Sequence, residues 1–548
     1  MKRLIFYILI CSISTNLFSQ NYSKGDSLRG NLSSLRNCYD VFFYDLDIHL
    51  DLEKKTLEES SNTLYFIAVN DFNKIQIDLF KHLKINSIEF EGSLLEFSRE
   101  YDAVFVKFPR LIFEGEKIKI KCNYFGVPQE AKNPPWDGGF SWRKDDNNND
   151  WVGVSCQGLG ASSWWPCKDH QSDEPDSMKI TFTINKNLPI ISNGNLISDS
   201  TFINRDNKKS RVSAWFVSYP INNYNVTLNI GDYINFKDKY ISKEDTLDLD
   251  YYVLSYNKEK AYKHFQQVKP MLKCFEFYFG QYPFFNDGYA LVETSYLGME
   301  HQSAIAYGNN YLPGYRGNTK YISDLDFDFI IVHETGHEWW GNSITSNDIA
   351  DMWVHEGFCT YSEVLYVECL HGYDKMLEYV NNQKKSIRND KPILGDYHVN
   401  CKGSGDMYSK GSLMLHTLRS FLDNDSIWFK SLKNIFLEKS TSTVDGEDII
   451  KYFNLNLNMD LTIFFKQYLE QTSIPEFKYK LKTVGRNTNL IFKWDAIDGF
   501  NMPIIVSNGL IEYKIYPNDK WQEINLGEFD PLDFRIRDDL FYVNVKKI

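Results

Sequence analysis

The chain has 548 residues, 43% hydrophobic and 24% charged, the balance of an ordinary soluble globular protein. It is too long for one compact core, so two to four domains are expected. The formal net charge of −13 argues against nucleic acid and anionic membrane as partners, because both repel an acidic surface.

The chain opens on MKRLIFYILICSISTNLFSQ (1–20). Lys2 and Arg3 supply a positive start, Leu4 to Ile13 an apolar stretch, and Ser19 a small residue near a cleavage point. This is the pattern of a signal peptide, and it predicts an exported protein, periplasmic or secreted. No later apolar stretch is long enough to span a bilayer, so no integral membrane span is expected after removal of the signal. Of nine cysteines, Cys11 falls in this segment. Cys359 and Cys369 lie on one predicted helix, about 15 Å apart at 1.5 Å per residue, too far to pair. Cys156 and Cys167, in a loop-rich segment, are the expected disulfide.

Residues 40 to about 240 carry strand signals: DVFFYDLDIHLDLE alternates polar and apolar residues, and VSAWFVSYPI and YNVTLNIGDY continue the pattern. The aromatic share of 16% fits a strand-rich half. Within it, residues 133–151 read as a polar, Pro/Gly-rich loop whose acidic and Asn run is solvated. From about 257 the spacing turns helical and stays so, with loops, to about 471. Short strands close the chain from 477 to 548. The predicted division is a signal peptide (1–20), an N-terminal β domain (21–240), a catalytic domain (241–476) and a small C-terminal β sandwich (477–548).

The segment FDFIIVHETGHEWWGN (327–342) holds His333-Glu334-Thr335-Gly336-His337. Residues four apart share one helix face, so both imidazoles can reach one cation at about 2.0–2.1 Å. Glu334 stands beside them, placed to act on a metal-bound water. Ile330, Ile331, Val332, Trp339 and Trp340 make the helix buried, and a buried His-Glu-His cluster requires a partner such as a cation. Gly336 costs about 1 kcal/mol inside a helix, which points to a close approach there. Catalytic zinc takes three protein ligands, and the next helical segment, IADMWVHEGFCTYSEVLYVECL, offers His355 and Glu356 as the third. Glu363, on the same face as Glu356, is placed to orient a ligand histidine.

HETGHEWWGN, MWVHEGFCTYSE, LGMEHQ (297–302) and YSKGSLMLHTLR (408–419), with weaker similarity through CQGLGASSWWPCKD, resemble in order and spacing the gluzincin zinc aminopeptidases, the family of aminopeptidase N and leukotriene hydrolase. The resemblance covers roughly residues 40–475 and implies an α+β multidomain fold: an N-terminal β saddle, a thermolysin-like α/β catalytic domain and a small C-terminal β sandwich. The large C-terminal helical domain that many members carry is not expected here. The resemblance also implies one zinc ion per chain, held by His333, His337 and Glu356, with Glu334 as general base and Tyr408 stabilising the oxyanion. Gly298-Met299-Glu300 matches the core of an exopeptidase motif, so Glu300 is expected to receive the substrate's α-amine, with Gln157 assisting from the β domain. The motif's final Asn is His301 here. The implied partners are peptides with a free N-terminus. A thermolysin-type endopeptidase or a catalytically silent peptide-binding homologue is the alternative.

Overall fold

A computed structural model describes residues 22–205, 207–242 and 245–548; the expected signal peptide lies outside the described residues. The chain is mixed α+β. Alternation sets the first half: in Tyr39–Asp51, Leu46, Ile48 and Leu50 are buried while their neighbours are not. Period-two burial defines one face of a sheet. That strand pairs in parallel with Ser177–Ile184 and antiparallel with Thr56–Ala68, at the centre of an eight-stranded sheet. The segment 133–151, read as a loop, contains the strand Gly139–Lys144 and the start of Asp150–Ser155, and its acidic, Asn-rich run is the turn between them. Asp145 closes it by accepting the backbone N–H of Asn147 and Asn149. Its carboxylate serves the turn, as Asp does where no backbone partner remains.

The next sheet joins Tyr233–Ile241, Thr246–Leu254, Tyr289–Glu293, Ile305–Tyr307 and Gly298–Met299. It begins at Tyr233, inside the segment assigned above to the N-terminal β domain. Its short strand Gly298–Met299 carries the chain into Glu300 directly beside helix Phe329–Gly336. Helices Phe329–Gly336, Met352–His371 and Ser409–Leu422 pack behind this sheet in one apolar core that continues into the C-terminal strands. A separate core fills the β half and reaches Met299 and Ala306. Among the described residues no helix is long and apolar enough to cross a membrane.

The expected Cys156–Cys167 disulfide is not formed. Both are buried free thiols, Cys156 donating to the Tyr224 carbonyl and Cys167 bridged through its backbone to Asp78, so each is committed to a different neighbour. The disulfide joins Cys274 to Cys369, 95 residues apart in sequence with Cα atoms at 6.1 Å. It clamps helix Val268–Tyr278 to the end of Met352–His371. Separation along one helix ruled out Cys359–Cys369, but nothing in the sequence showed which distant helix would meet Cys369.

Candidate active site

Helix Phe329–Gly336 starts on a firm cap: Asp328 accepts the N–H groups of Ile330 and Ile331, meeting donors that a helix N-terminus leaves unpaired. His333 and Glu334 project from it, and His337 follows at its C-cap. The crossing with Met352–His371 is close. A Cβ on Gly336 would stand 3.1 Å from Cys359 Sγ, the approach for which glycine was expected there.

Each histidine has one ring nitrogen committed. His333 Nδ1 meets Glu363 Oε1 at 2.7 Å and His337 Nδ1 donates to the Trp340 carbonyl at 2.9 Å. This fixes the tautomers and turns both Nε2 lone pairs inward, where they lie 3.3 Å apart. Glu356 Oε2 stands 3.3 Å from His337 Nε2 and 3.6 Å from His333 Nε2, buried and without a hydrogen bond of its own. Donors about 2.0–2.1 Å from a tetrahedral zinc ion lie roughly 3.3–3.4 Å from one another. The three atoms therefore fit one zinc ion. Cys359 also falls near both histidines, but its thiol donates to the His333 carbonyl at 2.8 Å. His355, the other candidate third ligand, turns away: its Nε2 accepts the Ser346 N–H at 2.8 Å, and burial pushes it down to about 3, keeping it neutral.

Glu363 also accepts a hydrogen bond from Tyr379. The Tyr408 phenol, at the start of helix Ser409–Leu422, donates to Glu356 Oε1 at 2.8 Å. A glycine pair makes this contact possible, since a Cβ on Gly411 would lie 2.8 Å from the Gly357 Cα. Glu334 is buried, and its carboxyl is pushed up to about 7, chiefly by desolvation. It is pressed against the Gly298 backbone, where a Cβ would come within 2.6 Å of Glu334 Oε1.

Glu300 closes the other side. Gln157 donates its amide to Glu300 Oε1 at 2.5 Å and reaches Glu356 Oε1 at 3.3 Å, so the β half enters the cleft through this side chain. Two residues that the motifs did not single out complete the arrangement. Tyr224 donates to the same Glu300 oxygen at 3.2 Å, and Asn342 donates to the Glu300 carbonyl at 2.8 Å and to Glu338 at 2.9 Å. Asn342 stood within the quoted HETGHEWWGN; Tyr224 had no local signal. His301 is buried with neither ring nitrogen hydrogen-bonded, and burial pushes it down to about 3. All of the expected site residues except Glu363 line one cleft of about 490 Å³, together with Pro135, Trp136, Tyr315, Phe329 and Lys402.

Residues 263–468 match the Peptidase family M1 domain. Over that stretch, less than half of its length, the chain is similar to the M1 peptidase domain. It is 20% identical over 490 residues to leukotriene A-4 hydrolase of Xenopus laevis, covering 83% of this chain and 76% of that one. It is 22% identical over 462 residues to aminopeptidase N of Lactobacillus helveticus, covering 79% of this chain and 51% of that one. Among solved structures, the M1 zinc metallopeptidase of Deinococcus radiodurans superposes with a TM-score of 0.65 at 18% identity, over 80% of this chain and 96% of that one. That neighbour is named a zinc metallopeptidase, and at this identity the likeness shows a shared fold.

Proposed function

We propose that the chain is a zinc aminopeptidase that hydrolyses the first peptide bond of peptides with a free α-amine. The observation that carries this reading is the position of Glu300. Its carboxylate, with one oxygen occupied by Gln157 and Tyr224, lines the same cleft as the His333–His337–Glu356 cluster. A buried carboxylate there captures an ammonium and sets the register one residue from the scissile bond.

His333, His337 and Glu356 would hold the zinc ion, which when bound supplies a Lewis acid for the carbonyl and acidifies water. Glu334 takes the proton of the attacking water and returns it to the leaving amine; its raised pKa suits both halves of that exchange. Tyr408 gives up its bond to Glu356 and donates to the oxyanion as it develops. Glu363, through His333 Nδ1, keeps the ligand imidazole oriented. We further propose that the protein acts outside the cytoplasm: the composition of residues 1–20 favours export, and the Cys274–Cys369 disulfide suits an oxidising compartment.

The test is a panel of aminoacyl-amide fluorogenic substrates, each paired with its N-acetylated form, with and without chelator. Chelator-sensitive cleavage restricted to free amines is expected. Cleavage of the blocked forms would move the assignment to an endopeptidase, and zinc binding without any turnover would leave only a peptide-binding role.

A further inference from the structure

The charged residues lining the cleft, apart from the histidines, are three glutamates (Glu300, Glu334 and Glu356) and one cation, Lys402. The lysine is not a loose surface residue by its backbone. Around it Gly395 N–H donates to Ala350 O at 2.8 Å, Asp396 N–H to Cys401 O at 3.1 Å and Ser404 N–H to Pro392 O at 2.8 Å. His398 N–H donates to Asp348 Oδ2 at 3.0 Å. A Cβ on Gly403 would lie 1.9 Å from the Ile393 carbonyl, so the chain is seated without clearance immediately after Lys402. The side chain itself is exposed to the cleft, and among the described residues no carboxylate lies within ion-pairing distance of it.

The same segment touches the loop that carries Gln157. Asn400 Nδ2 donates to the Gly158 carbonyl at 3.4 Å, and Arg29 donates to the same carbonyl at 3.1 Å. Lys402, two residues beyond Asn400, lines the same cleft as Gln157 and Glu300. If that cleft takes the α-amine, it also takes the side chain borne by the same Cα. An anionic side chain entering there without Lys402 would face three carboxylates, with no other Lys or Arg among the described residues that line the cleft.

We propose that Lys402 reads a carboxylate on the side chain of the substrate's first residue, so that the preferred substrates are peptides beginning with Glu or Asp. This rests on the aminopeptidase reading above. The ammonium would pair with the side-chain carboxylate in a cleft partly shielded from water, where opposite charges discriminate between a carboxylate and its amide isostere.

The experiment compares kcat/KM of the zinc-loaded full chain for Glu-, Gln-, Asp-, Asn-, Lys- and Leu-amide fluorogenic substrates, in the wild type, Lys402→Met and Lys402→Glu. Expected are a preference of at least tenfold for Glu over Gln, a ratio near one in Lys402→Met, and an inverted ratio with a gain on Lys-amide in Lys402→Glu. A wild-type Glu/Gln ratio near one, or a preference that survives Lys402→Met, overturns the proposal. A second arm pairs Leu-Gly with Leu-Gly-amide: a preference for the free acid that disappears in Lys402→Met would give the lysine to the peptide's C-terminus and overturn the side-chain assignment. Chelator-sensitive cleavage of Leu-amide shows that the parent reading stands even where the Glu/Gln comparison fails. If no free-amine substrate is cleaved, the parent reading itself falls and takes this proposal with it.

Discussion

The phenol of Tyr224 donates to Glu300 Oε1 across 3.2 Å, from a 3-10 turn of the β half to a strand end of the catalytic half. Gln157 holds the same oxygen, which leaves the second oxygen of Glu300 to meet a substrate amine. Hydrogen bonds to a charged group contribute about 1.5–3 kcal/mol each. Tyr224→Phe should therefore raise KM for free-amine substrates about tenfold while kcat changes much less. A fall confined to kcat, with KM intact, would show that the phenol does not serve amine recognition.

Glu334→Gln keeps the shape of the side chain and removes its basicity. Turnover should drop by about two to four orders of magnitude, while metal analysis still finds one zinc per chain. Loss of zinc along with activity would mean that Glu334 supports the metal site rather than the proton transfer.

Glu363 acts on the metal only through His333 Nδ1. Glu363→Ala should weaken zinc affinity about 10- to 100-fold, read as the free-zinc concentration that restores half of the activity in a chelator-buffered titration. Unchanged affinity would assign the Glu363–Tyr379 contact to packing alone.

Zinc also bears on stability. Without it, His333 Nε2, His337 Nε2 and Glu356 Oε2 converge in a buried pocket with no cation, and a ligand that binds only the folded state stabilises it by about 2.7 kcal/mol at a hundredfold excess over Kd. Thermal unfolding should begin at a lower temperature after chelation and recover on adding back zinc. Identical unfolding curves would speak against a metal held by these three groups.

The Cys274–Cys369 bridge closes a 95-residue span that contains every proposed zinc ligand. Removing such a link typically costs about 2–4 kcal/mol. Cys274→Ala should lower the unfolding midpoint, and reducing agent should lower that of the wild type to match. A wild type indifferent to reductant, with as many free thiols before reduction as after it, would exclude the bridge in solution.

The sequence by itself determined what depends on short-range spacing. His333 and His337 share a face because they are four residues apart on an apolar helix, and Gly298-Met299-Glu300 could be placed by a contiguous motif. The same locality allowed Cys359 and Cys369 to be separated by helix rise alone. Tertiary structure decided whatever requires two distant segments to meet. It brought Tyr224 and Gln157 onto one oxygen of Glu300, committed His355 to Ser346 and left Glu356 Oε2 facing the histidines. It also paired Cys369 with Cys274 rather than Cys156 with Cys167, and brought Lys402 into the same cleft as Gln157. Periodicity reports which face of an element is buried, whereas the neighbour it is buried against is fixed by sheet register and helix crossing, which no local pattern encodes.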